Sequence, residues 1–374
     1  MLANRHRTDK KSKHRLVIIA GGGTGGHLFP GIAIAIELKK RFEASDILFV
    51  VGRKRMNQEI LFNYGYKSTH IDVEGLKGRG WLNLFAGLWK MPKSLIQAMI
   101  IIKKKSPCMV IGMGGYSSGP MCLAAKLMGI KTAVHEQNSY PGVTNRILSR
   151  FVDRVFISFE DSKPYLKSRE IFLTGNPVRD ELLSTEIIKH KGREQFTILV
   201  IGGSQGAKAI NDAFVDALSI IKKAGRNPHV IHQSGAMDYE RLTKEYGNRN
   251  IHGDIMPFIK DMATAYNRAD IVVSRAGATT IFELAAVGRP SVLIPYPYAT
   301  NNHQEINARS LVRAGGAEMI KQKDLNGEVL ARTLINFMDN PSLLQNMGKN
   351  AKKIARHDAA KLIVDRLSEL DLCN

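Results

Sequence analysis

The sequence predicts an α/β fold made of two doubly wound parallel sheets in tandem. Three observations carry this prediction. A short apolar run (16–20), a glycine loop (21–26) and an apolar helix (28–38) recur in the same order about 180 residues later, at 196–201, 202–206 and a helix through about Ile221. Further short apolar runs at 47–51, 109–111, 132–134, 155–157, 230–231, 271–273 and 291–294 alternate with helical stretches, as parallel strands covered by helices do. The 374 residues suffice for two domains of ordinary size. A Gly and a Pro interrupt the pattern at Gly175-Asn176-Pro177, so the hinge is expected there. The expected division is a basic disordered tail (1–14), a first domain (15–174 with 350–374) and a second domain (175–349).

Composition narrows the class. The chain is 44% apolar, and no window approaches the ~18 apolar residues that cross a bilayer. Residues 1–14 are basic and polar and read as neither signal peptide nor anchor. Three cysteines without a CxxC pair argue for a reducing compartment and against structural zinc. Net charge is +20, carried unevenly: residues 1–170 hold 28 basic and 12 acidic side chains, residues 171–374 hold 26 and 22. One half is therefore expected to face a polyanionic surface. No helix-turn-helix, zinc-finger or RNP-like signature accompanies the charge, so nucleic acid is not the expected partner.

The first strand leads into Gly21-Gly22-Gly23-Thr24-Gly25-Gly26-His27. Such a corner accepts an anion: glycines allow close backbone approach, and the helix N-terminus offers unpaired N–H groups. It is not a dinucleotide site, because the second strand ends in Gly52-Arg53-Lys54-Arg55 where an acid would hold the ribose. It is not a Walker loop either, because Gly26 precedes His27-Leu28 rather than Lys-Ser or Lys-Thr. A sugar diphosphate with an ionisable group beside it suits the loop.

Between Lys77 and Lys105, Trp81, Leu84, Phe85, Leu88 and Trp89 lie among Lys90, Lys93 and further basic residues. This reads either as a membrane-surface patch or as a core helix with a solvated basic face. Gly114-Gly115-Tyr116 forms a second anion corner after a strand, and Glu136 and Asn138 follow another strand at the same sheet edge. Glu136 reads as a site residue or as a cap of the next helix. In the second half a helix begins near Ala278, with Thr279, Thr280, Ile281, Phe282 and then Glu283. Its free N–H groups suit a diphosphate, and Glu283 suits ribose hydroxyls. Asn301, Asn302 and Gln304 offer amides that read sugar hydroxyls or a base edge.

Taken together, Gly22 to His27, Gly112 to Tyr116, His135-Glu136-Gln137-Asn138, Gly175 to Arg179, Gly202 to Ala207 and Ser274 to Thr279 with Glu283 make the chain resemble the GT-B glycosyltransferases, and within them the MurG type. The resemblance spans residues 15 to about 310 in the family's order. It implies a GT-B fold, two Rossmann-like domains across a cleft, and transfer of GlcNAc from UDP-GlcNAc to lipid I, giving lipid II for peptidoglycan. It implies Arg179 and Ser204 at the diphosphate, the Ile259 backbone at uracil, the loop from Ala278 at the phosphates, Glu283 at the ribose and Gln304 at the sugar. Thr24, Gly25, Gly26 and Asn138 would close on the donor from the first domain. The acceptor diphosphate would lie over Gly23, Gly114, Gly115 and Tyr116. The last helix, about 358–370, would cross back to the first domain. UDP-GlcNAc is then a substrate and no cofactor is expected; lipid I, an anionic inner-membrane surface and cell-wall synthesis proteins are the expected partners.

An inverting displacement needs a base for the acceptor hydroxyl and positive charge for departing UDP. Helix N-termini and Arg179 meet the second need, and the chain has no Asp-x-Asp to hold a metal. His27 is the first candidate base, because a helix N-terminus disfavours the imidazolium; Glu136 is the second. Three rivals remain at this point. A GT-B glycolipid synthase would use a UDP-sugar and a diacylglycerol-type acceptor. A nicotinamide-dependent dehydrogenase leaves the second glycine loop and Glu283 unexplained. A membrane-binding module explains only the basic patch.

Overall fold

The computed structural model describes residues 15–22, 25–43, 45–53, 55–72, 81–183, 195–203 and 206–370, and for 55–56 and 81–91 the backbone alone. The first half supplies strands β1 (Arg15–Ala20), β2 (Ser45–Val51), β3 (Lys67–His70), β4 (Met109–Gly112), β5 (Lys131–Glu136), β6 (Arg154–Ile157) and β7 (Ile171–Leu173). The second supplies β8 (Thr197–Ile201), β9 (His229–Gln233), β10 (Asp254–Met256), β11 (Ile271–Ser274), β12 (Ser291–Leu293) and β13 (Ala317–Met319). They form two sheets, ordered β3-β2-β1-β4-β5-β6-β7 and β10-β9-β8-β11-β12-β13. Every pairing is parallel. The order steps outward from β1 in one direction and from β4 in the other, so a cleft opens at the carboxyl ends between β1 and β4; β8 and β11 repeat this.

The helices of the first half are α1 (Gly25–Arg41), α2 (Arg55–Asn63), α3 (Trp81–Lys105), α4 (Ser118–Leu127) and α5 (Val143–Leu148). After β7 come α6 (Asp180–Leu183), α7 (Lys208–Lys223), α8 (Tyr239–Asn248), α9 (Met262–Arg268) and α10 (Ala278–Val287). Four more follow: α11 (His303–Arg313), α12 (Gly327–Asp339), α13 (Pro341–Lys352) and α14 (Ala359–Ser368). The last of these leaves the second sheet. Ile363, Val364 and Leu367 of α14 join the core formed by β1, β2 and α1, beside Leu28, Ile32 and Leu38.

The central strands are apolar on both faces because helices cover both sides. Ile18, Ile19 and Ala20 of β1 and Ile198, Leu199 and Val200 of β8 are buried, so neither shows polar alternation. Helix α1 carries Pro30 in its interior, and proline has no N–H to donate. The carbonyl four residues earlier, that of Gly26, therefore loses its helical partner. Thr279 Oγ1, at the start of α10 in the other half, donates to it at 3.1 Å. Among the described residues, no helix is long and apolar enough to cross a membrane.

Candidate active site

Two helix N-termini meet in the cleft. In α10 the first intrahelical bond runs from Ile281 N to Gly277 O, so the N–H groups of Ala278, Thr279 and Thr280 precede the ladder. Gly277 at the N-cap supplies no side-chain cap. Opposite lies the first turn of α1, with Gly25, Gly26 and His27, joined to Thr279 by the bond just described.

His27 is half-buried and held from two sides. Its Nδ1 lies 2.8 Å from Gln137 Oε1, just beyond β5. The turn after β4 passes against the ring: a Cβ on Gly114 would sit 3.2 Å from His27 Cε1, and one on Gly115 only 2.8 Å from Gly22 O. Both glycines have positive φ, +83° and +77°, so a side chain at either would be strained as well as crowded. Gln137 is buried; its Nε2 approaches Met113 O at 3.1 Å, His135 O at 3.2 Å and His135 Nδ1 at 3.0 Å. His135 Nε2 lies 3.1 Å from Gly175 O, in the segment that leads to the second half. Burial drives the His135 pKa down to about 4, so the ring is neutral.

Glu136 has different work. Its Oε1 accepts from Asn138 N (2.9 Å) and Asn138 Nδ2 (3.3 Å). Its Oε2 accepts from Gly142 N (3.0 Å) and Asn145 Nδ2 (2.9 Å). Four donors fill the four acceptor positions of a carboxylate, so this side chain organises the 137–142 loop and has none left for an acceptor hydroxyl. Glu136 thereby ties the end of β5 to the loop that carries Asn138.

The loop so organised reaches the other half. Fully buried Asn307, on α11, accepts from Ser139 N through Oδ1 at 2.9 Å. Its Nδ2 donates to Asn138 Oδ1 at 3.2 Å and to Ala276 O at 3.3 Å. Asn138 thus sits at the junction between the halves.

Arg179 and Glu283 form a buried ion pair, Nη2 to Oε1 at 2.9 Å, and Tyr266 OH donates to the other carboxylate oxygen at 3.1 Å. The guanidinium also lies over the Phe29 ring of α1, 4.6 Å from its centroid. Burial works to lower the Arg179 pKa, but the Glu283 carboxylate and Tyr266 outweigh it and hold it above the usual arginine value. Burial, with Glu283, holds the Tyr266 phenol well above its ordinary range.

The other expected residues divide. Ala278, Thr279 and Thr280 stand at the helix start. Ile281 and Phe282 face the core instead: Ile281 is fully buried with its N–H in the helical ladder, and the Phe282 ring packs on Phe159 at 5.0 Å. Their side chains serve the core, so the expectation for these two positions concerns the backbone of the loop from Ala278. Ile259 N donates to Gln233 Oε1 at 2.9 Å, so its N–H is engaged within the second half. Gln304 Oε1 accepts from Tyr296 N at 3.0 Å. Tyr116 is exposed at the mouth of the β4–α4 turn, and Lys93 is exposed on α3. Gly23, Thr24 and Ser204, the tail 1–14, and the side chains of Trp81, Leu84, Phe85, Leu88, Trp89 and Lys90 lie outside the described residues. Among the described residues, no group of three or more His, Cys, Asp or Glu side chains could hold a metal ion.

The geometry adds Gln137, Asn307, Tyr266 and Phe29 to the site. Gln137 and Asn307 had a signal, an amide in a motif beside a strand end or helix start. Tyr266 and Phe29 read as ordinary core aromatics.

Comparison with known proteins agrees with this architecture. Residues 17–157 match the glycosyltransferase family 28 N-terminal domain, and residues 197–363 match its C-terminal domain. The chain is similar to the UDP-N-acetylglucosamine--N-acetylmuramyl-(pentapeptide) pyrophosphoryl-undecaprenol N-acetylglucosamine transferase of Syntrophus aciditrophicus (strain SB). It is 47% identical over 349 residues, 93% of this chain and 97% of that one. The enzyme of the same name from Myxococcus xanthus (strain DK1622) is 42% identical over 93% of this chain and 91% of its own. Among solved structures, MurG from Acinetobacter baumannii superposes with a TM-score of 0.77 at 31% identity, covering 95% of this chain and 99% of that one. Two parallel-sheet halves, glycine corners at facing helix starts, and these matches along nearly the whole chain place the protein in glycosyltransferase family 28, with the GT-B fold, in its MurG group.

Proposed function

We propose that the protein transfers GlcNAc from UDP-GlcNAc to lipid I, with inversion at the anomeric carbon, forming lipid II. The observation that carries this reading is the meeting of the two helix N-termini at Thr279 and Gly26, with His27 one residue further on. Helix α10 offers unpaired N–H groups to the donor diphosphate, and Arg179 adds a fixed cation beside them. Glu283 offers a carboxylate to the ribose, Ile259 a carbonyl to the base, and Gln304 an amide to the sugar. Glycines 114 and 115 leave backbone open for the acceptor diphosphate next to His27. His27 takes the proton of the muramyl hydroxyl as that oxygen attacks the anomeric carbon. The bond from that carbon to the diphosphate oxygen breaks, and its electron pair leaves with UDP.

The protein acts at the cytoplasmic face of the inner membrane, held peripherally through its first half. Exposed Ile96, Met99 and Ile100 continue α3 beyond Lys93, and exposed Leu127 and Met128 lie at the end of the adjoining α4. Apolar surface among lysines suits an anionic bilayer, where each nearby cation adds about 1 kcal/mol. Vesicles containing phosphatidylglycerol should therefore bind the protein, less strongly at high salt. Changing Trp81, Phe85 and Trp89 together to Ser should release it without loss of UDP-GlcNAc binding; equal sedimentation of variant and parent would refute the membrane reading. The activity is tested with labelled UDP-GlcNAc and a lipid I analogue. A disaccharide-linked lipid product is expected, and a protein that binds UDP-GlcNAc but transfers nothing to that acceptor would overturn the assignment.

A further inference from the structure

We propose that Gln137 is a positioning residue that locks His27 in its Nδ1–H tautomer, leaving Nε2 as the nitrogen that accepts a proton. Gln137 is buried, and one end of its amide lies 3.1 Å from Met113 O and 3.2 Å from His135 O. Two carbonyl oxygens cannot both face an amide oxygen, so the NH2 group is at that end. The opposite end is then Oε1, an acceptor only, 2.8 Å from His27 Nδ1. Nδ1 must carry the hydrogen. A neutral imidazole has one N–H, so Nε2 holds the lone pair.

His135 provides an independent check from the far end. Its Nε2 faces Gly175 O at 3.1 Å and must be the protonated nitrogen. Its Nδ1 then accepts, and the neighbour at 3.0 Å is the Gln137 NH2 already deduced. Ser158 Oγ fits too: it donates to Glu136 O at 3.0 Å and turns a lone pair toward His135 Nε2 at 3.4 Å. From Gly175 to His27 a single assignment gives every donor an acceptor. The neutral form of buried His135 accords with it.

The tautomer is the reverse of the one neutral histidine prefers in water, so without Gln137 the population would move the other way. The inference rests on the reading of His27 as base. In that step the muramyl O–H proton passes to Nε2, the oxygen bonds to the anomeric carbon, and UDP departs with the electron pair. His27 becomes an imidazolium whose Nδ1–H stays on Gln137 Oε1, and it returns the proton to solvent.

Long-range 1H–15N spectra of the full chain labelled at histidine read the tautomer directly, at a pH where His27 is neutral. The unmutated protein should show His27 with Nδ1 protonated and Nε2 bare; an Nε2–H pattern would overturn the proposal without any variant. In Gln137→Met, close in volume but without an acceptor for Nδ1, the pattern should move toward Nε2–H. Its kcat should fall roughly tenfold while KM for UDP-GlcNAc holds. A variant that keeps the Nδ1–H pattern, or loses rate with the pattern unchanged, refutes the role of Gln137. Full kcat in His27→Ala would instead remove the base reading, and with it the catalytic consequence, while the spectrum of the parent still decides the tautomer.

Discussion

The two glycine corners follow one local plan and differ in what stands behind them. Behind the start of α1 lies a hydrogen-bonded relay, His27, Gln137 and neutral His135, ending on a backbone carbonyl. Behind the start of α10 lies a buried charged set, Arg179, Glu283 and Tyr266. Strand, turn and helix create an anion-facing end in both halves. Distant residues then decide whether that end handles a proton or a charge.

The charged corner is the more sensitive of the two. Glu283→Ala leaves Arg179 buried without its counter-ion and should cost about 3–5 kcal/mol of stability, read by chemical denaturation. It should also weaken UDP-GlcNAc by about 1–3 kcal/mol in calorimetric titration. Pairing Glu283→Leu with Arg179→Met should restore much of the stability and none of the affinity. A single variant as stable as the parent would show that the pair is not a buried charge unit.

Acid should attack both halves alike. Burial holds His135 in the first half and His232 in the second at about 4, below the ordinary 6.5. Between those values the unfolded chain binds protons that the folded chain refuses, so stability falls as pH falls from 6.5 toward 4. Each histidine contributes about 3 kcal/mol to that loss. A melting temperature flat across the window would contradict both assignments.

At the α1 corner, His27→Ala should lower kcat by roughly 10²-fold while leaving the melting temperature in place. A rise in KM for the acceptor with kcat intact would make His27 a binding residue. The smallest effect should come where the corners touch. Thr279→Val leaves the Gly26 carbonyl without a donor, a loss of about 1 kcal/mol, seen as a modest rise in KM for UDP-GlcNAc. An unchanged KM would show that this contact does not aid closure.

The legible strands were the interior ones. Among the described residues, all nine strands with neighbours on both sides appear in the sequence as short apolar runs, because helices bury both of their faces. Among the described residues the sheet edges are β3, β7, β10 and β13; β3, β10 and β13 left no apolar run, and β7 reads Ile171-Phe172-Leu173 but runs straight into the Gly175–Pro177 interruption where the hinge is expected. Residues 67–70 of β3 read Lys-Ser-Thr-His and are mostly exposed, so hydropathy carries no trace of them. The site divides in a similar way. Glycine corners are local and visible, whereas His27 meets Gln137 across 110 residues, Arg179 meets Glu283 across 104, and Ser139 meets Asn307 across 168. No spacing rule in one sequence links such partners; only the fold brings them together.

Helix α14 imposes an order of assembly. Its Ile363, Val364 and Leu367 complete the core against α1, yet the ribosome makes them after every strand of both sheets. Throughout translation of the second half, the first carries an open apolar seam along α1 that nothing yet synthesised is built to fill. The second half, whose strands and helices α7 to α13 form one continuous stretch of chain, can close first. The part that begins at the N-terminus is the one finished last, and a chain stopped before residue 359 would expose that seam to chaperones and proteases.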